Sequence, residues 1–152
     1  MGLNKQILRI VLFGLSGLLI FLILVGISNV LIPIIDNSFY TVNVEFMNQN
    51  LWIVITFTIL FIAGDVFSIL KFPFNIPYPL FNGVAAIMLT ALFVNAFSWV
   101  WEMIFFDLLS INLSVIWVYV LVFVLVLAVG YYNIFKAVYK KRKVRKYKVN
   151  NK

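Results

Sequence analysis

The chain has 152 residues, is 64% hydrophobic and only 11% charged, and carries a net charge of +7. A soluble domain averages about 45–50% apolar and about 25% charged residues, and one core of this size has no room for the surplus, so the bilayer is the expected solvent. With no Cys and no His, structural disulfides, thiolate chemistry, Cys/His zinc sites and His-ligated haem are excluded, and the commonest general base is missing.

A helix crossing the hydrocarbon needs about 20 apolar residues. Lys5 and Arg9 precede the first such run, expected as a helix from about 10 to 32 that stops before Pro33. The two cations resemble the start of a signal peptide. The run, however, exceeds the usual 7–15 residues and no small-x-small pattern follows, so retention as a helix is expected. Gly14 and Gly17 are three apart, one short of a small-xxx-small pairing motif.

The segment Asp36 to Gln49 reads as the longest outer loop. Thr41, Asn43 and Glu45 alternate with Val42, Val44 and Phe46. A period of two suits a strand with one apolar face, and a lone strand would need a partner to pair with. The expectation is an irregular interfacial loop.

The second helix is expected over about 51–70. Asp65 lies six residues before Lys71, and at about 100° per residue Thr58, Asp65 and Ser68 share a face. That face is expected to point inward, with Asp65 satisfied by Arg9, Asn82 or a tyrosine. Pro73-Phe74-Asn75-Ile76-Pro77-Tyr78-Pro79 follows as a stiff turn, because proline fixes φ and biases its predecessor toward extended shapes.

Helix three is expected over about 80–106. Ala91, Asn95, Ser98 and Glu102 fall in a narrow arc of it. Small and hydrogen-bonding residues are what close helix packing in lipid uses, so the stripe reads first as a helix–helix interface and second as a polar path from outside. Asn112-Leu113-Ser114 matches a glycosylation acceptor, but its place beside helix four suggests capping by Ser110 or Asn112. The valine-rich run beyond it is too long for a strand and is expected as helix four, about 113–134.

Trp52, Trp99, Trp101 and Trp117 fall in the outer halves of the expected helices, and Tyr131, Tyr132 and Tyr139 near the inner ends, as aromatic belts require. Residues 10–70 and 72–135 contain no Lys or Arg, whereas residues 140–152 hold eight of the twelve. Lys/Arg asymmetry then keeps the N-terminus, the Lys71 turn and the C-terminal tail in the cytoplasm. The expected architecture is an all-α, polytopic integral membrane protein. It has one domain over 1–139, a bundle of four transmembrane helices with both termini cytoplasmic, in the plasma membrane. A disordered basic tail over 140–152 follows.

In that tail, Lys140, Lys141, Arg142, Lys143, Arg145, Lys146 and Lys148 form a juxtamembrane cluster of the kind that binds anionic lipid headgroups. An acidic partner would offer similar attraction; with Tyr147 the single aromatic among them, nucleic acid is not the expected partner. Intramembrane ionisable residues are functional candidates because burying them is costly. The candidate polar site therefore comprises Asp65, Asn82, Asn95, Ser98 and Glu102. Asp65 and Glu102 lie toward opposite membrane faces, so no acid–base pair assembles. No enzyme activity, cofactor or metal is expected. The function expected is an accessory, scaffold or assembly subunit, through self-association or contact with other membrane subunits. The competing expectation is an oligomeric transporter or channel using Asp65 or Glu102.

Overall fold

The computed structural model describes residues 2–105 and 115–150, with side-chain surroundings over 2–101 and 116–140. Four helices follow in order: α1 Leu3–Ile35, α2 Ser38–Ser68, α3 Tyr78–Phe105 and α4 Val115–Asn150. Each is long and apolar enough to cross a membrane, and no strand occurs among the described residues. The expected all-helical bundle of four long apolar helices is thus present.

Helices pack only with their chain neighbours among the described residues: α1 on α2, α2 on α3, α3 on α4. The bundle is therefore an open antiparallel row. One end gathers the start of α1, the Lys71 turn and the second half of α4. The other holds Asp36 and the start of α2. Every described Lys and Arg side chain, at 5, 9, 71, 136 and 140, belongs to the first end.

The expected bounds shift, most of all at the start of α1, the start of α2 and the end of α4. Helix one does not stop before Pro33 but carries it inside and continues to Ile35. Proline removes a helical donor, and membrane helices tolerate this when a neighbour serves the backbone nearby. Next to the Asn29 carbonyl, which Pro33 leaves without its helical donor, the Tyr40 hydroxyl donates to the Ser28 carbonyl at 3.0 Å. Asp36 then takes the left-handed conformation (φ 42°), which short polar side chains tolerate. Asn37 caps α2, its side chain accepting from the Tyr40 backbone N–H at 3.2 Å.

The loop expected over 36–49 is largely the first third of α2. Its alternation hides a helical period: Val44, Asn50 and Ile53 are buried, with Tyr40 and Met47 partly so. The intervening polar groups bond within their own helix. Thr41 Oγ1 donates to the Asn37 carbonyl at 3.2 Å and Asn43 Nδ2 to that of Phe39 at 2.6 Å. Such back-bonding lets a helix absorb residues that otherwise favour loops.

The proline-rich segment is a chain of tight turns. Phe74 N–H bonds to Lys71 O at 2.9 Å, Ile76 N–H to Pro73 O at 3.1 Å and Leu80 N–H to Pro77 O at 3.1 Å, and Phe72–Pro73 is cis. Pro79 falls in the first turn of α3, where a missing N–H costs no helical bond. Beyond the apolar part of α4, helical backbone continues through the basic segment to Asn150. Lys and Arg are good helix formers, and α4 is already nucleated in front of them.

Candidate functional site

The side chains that organise the row are asparagines and glycines. Asn48 and Asn50 of α2 are about 200° apart around the helix, so they face opposite neighbours. Asn48 forms a reciprocal amide pair with Asn29 of α1, at 2.8 and 3.0 Å. Asn50 is 7% exposed and accepts from Asn95 of α3 at 2.9 Å while donating to the Phe46 carbonyl at 2.9 Å. Phe46 and Trp99 pack beside this pair with ring centroids 5.3 Å apart.

Toward the Lys71 end the seams close on glycine. Ile62 sits against Gly14, the Asn82 amide against Gly64, and the Phe123 ring against Gly83. A Cβ on Gly130 would lie 2.7 and 2.9 Å from Cβ and Cγ of Pro79, which is fully buried. Phe67 and Phe81 stack across the α2–α3 seam at 5.2 Å.

Of the five expected site residues, Asp65, Asn82, Asn95 and Ser98 are described with their side chains, and they lie apart. Asn95 does join two helices, as the interface reading of its stripe requires, but Ser98 is exposed. Asn82 lies thirteen residues, about 20 Å, along α3 from Asn95, against Gly64 and with Oδ1 buried and unpartnered. Asp65 does not point into the row. It is exposed, as is Arg9, and no ion pair joins them. Gly64 is the residue that faces α3, so its neighbour Asp65 is turned about 100° away. Ser68 donates to the Asp65 backbone carbonyl at 2.7 Å, and Thr58 to that of Val54 at 2.7 Å, so both hydroxyls are satisfied within α2. The side chain of Glu102, together with Asp107, Ser110 and Asn112, lies outside the described residues. So do the side chains of the basic cluster beyond Lys140, which is exposed.

Asn29, Asn48 and Asn50 were not among the expected site residues. Asn29 was legible as a lone amide in an apolar run; the other two were hidden by the loop reading of their segment. A groove of about 280 Å³ runs between Tyr78, Pro79 and Asn82 of α3 and Leu125, Val126 and Val129 of α4. Among the described residues no group of three or more acidic side chains could hold a metal ion. No family model, curated protein or solved structure matches this chain, so its function is argued from this geometry alone.

Proposed function

We propose that the chain is a small multi-pass subunit without catalytic activity, docking through its α1–α2 hairpin onto a larger membrane assembly as an accessory or scaffold component. It sits in the plasma membrane with both termini cytoplasmic. The clustering of Lys and Arg at one end of the row supports that orientation, and anionic headgroups there are natural contacts for the tail.

The observation that carries the docking role is the length of the hairpin. At about 1.5 Å per residue, the 33 residues of α1 span about 50 Å and the 31 of α2 about 46 Å. The hydrocarbon is about 30 Å thick, and a typical tilt of about 20° shortens a 50 Å helix by only about 3 Å. With exposed Trp52 at headgroup level, residues 28–35 and 38–49 lie beyond the outer edge of the hydrocarbon. That tip presents Val30, Ile34, Phe39 and Val42, which are 68, 71, 60 and 42% exposed. Apolar surface held outside the hydrocarbon is suited to a protein contact, and Asp36 and Glu45 add charge beside it.

Extraction in mild detergent with mass measured by light scattering tests this. The parent should elute in an assembly well above one 17.6 kDa chain, and Phe39→Asp should elute as a single chain with unchanged helical circular dichroism. A parent that is itself a single chain contradicts the proposal, as does a Phe39→Asp variant that keeps the assembly. Exposed Asp65 gives no support to a transport pathway within one chain; Asp65→Asn should leave the assembly intact.

A further inference from the structure

The groove on the α3–α4 seam opens at the basic end of the row. Its α4 wall includes Leu125 and Val129, both exposed on the outer side, at 55 and 59%. Counting about 100° per residue from Val129, Asn133, Lys136 and Lys140 all lie within about 40° of it. Two turns and three turns further on, one apolar stripe therefore becomes a line of exposed cations, with Lys136 about 10 Å and Lys140 about 16 Å beyond Val129. The Lys136 ammonium rests 5.6 Å from the Tyr132 ring centroid. No Asp or Glu occurs anywhere in α4 to neutralise this line. Tyr78 and Asn82 are the polar members of an otherwise apolar lining.

We infer that this seam is a seat for one anionic phospholipid. An acyl chain lies in the groove between Pro79 and Val129, and the phosphate is held at the level of Lys136 and Lys140. The cavity suits that occupant. At about 280 Å³ it lies at the lower end of the roughly 300–1,000 Å³ of small-molecule clefts and cavities, and its lining is apolar apart from Tyr78 and Asn82, as a hydrocarbon chain requires. Basic pockets between helices on the cytoplasmic side are suited to phosphorylated headgroups. The seat is separate from the diffuse attraction of the tail and independent of docking through the α1–α2 hairpin.

Native mass spectrometry of the full chain, titrated with phosphatidylglycerol and with phosphatidylcholine, tests it. One phosphatidylglycerol should be held more tightly than any phosphatidylcholine. Lys136→Gln and Lys140→Gln should each weaken it about fivefold, without altering phosphatidylcholine binding. Val129→Trp, at a position already exposed, should fill the groove and weaken that first lipid whatever its headgroup. Replacing Lys141, Arg142, Lys143, Arg145, Lys146 and Lys148 together by Gln should leave it in place. Equal retention of the two lipids by the parent would overturn the inference. So would unchanged binding in Val129→Trp, or loss of the first phosphatidylglycerol with the tail charges while Lys136→Gln keeps it. Displacement of the lipid by inorganic phosphate would mark a free-anion site and overturn it equally.

Discussion

The two ends of the helix row are held together by different physics. Near Asp36, amides do the joining: Asn29 with Asn48, and Asn50 with Asn95. Near Lys71, glycines let a neighbouring side chain rest on the backbone, with Ile62, Asn82, Phe123 and Pro79 as the four intruders. Between lipid-facing helices there is little hydrophobic drive, since acyl chains are as apolar as Leu, so close contact and hydrogen bonds must supply association. Close contact depends on shape and tolerates no added atoms. Amide pairs depend on chemistry and tolerate small shifts. The Lys71 end should therefore be the brittle one.

Gly130→Leu should do the most damage. The buried Pro79 ring is rigid and cannot yield, so the α3–α4 seam must part, at a cost near the top of the 1–3 kcal/mol range for overpacking. Unfolding in detergent mixtures of rising SDS fraction would measure it; a change under about 0.5 kcal/mol would show that the seam is not closed on this glycine. At the other end, Asn50→Leu and Asn95→Leu combined in a double-mutant cycle should give a coupling of about 0.5–1.5 kcal/mol, the net worth of a typical hydrogen bond. Zero coupling would remove the amide account. The smallest effect belongs to Gly17→Ala. Nothing lies within 4 Å of a Cβ there, so better helix propensity should stabilise by no more than about 1 kcal/mol. A loss of stability at Gly17 would blur the distinction between occupied and open glycines.

The sequence made the four long apolar helices easy to find, because twenty apolar residues without charge have few other uses. It was least informative where amphipathic character and helical extension compete. Residues 36–49 looked like a loop because Thr41, Asn43 and Glu45 alternate with Val42, Val44 and Phe46. The i to i−4 bonds of Thr41 and Asn43, which let the helix keep them, are invisible to any count of polar residues. Asp65 was expected inside because its face also carries Thr58 and Ser68. Both of those hydroxyls bond to their own helix, however, so they marked no seam. The real seam markers in that stretch were Gly64 and, across from it, Asn82. Asn95 was legible because small and amide residues repeat along one arc of α3; its partner Asn50 was not, because it stood at the edge of the supposed loop.

Every functional statement depends on which way the row is inserted. The chain contains no cysteine, so single introduced thiols can be read without background using a membrane-impermeant maleimide on intact cells. Asp36→Cys should label from outside, while Lys71→Cys and Asn150→Cys should label only after the cells are opened. Labelling of Lys71→Cys on intact cells, or Lys71→Cys and Asn150→Cys reacting from opposite sides, would contradict the proposed insertion.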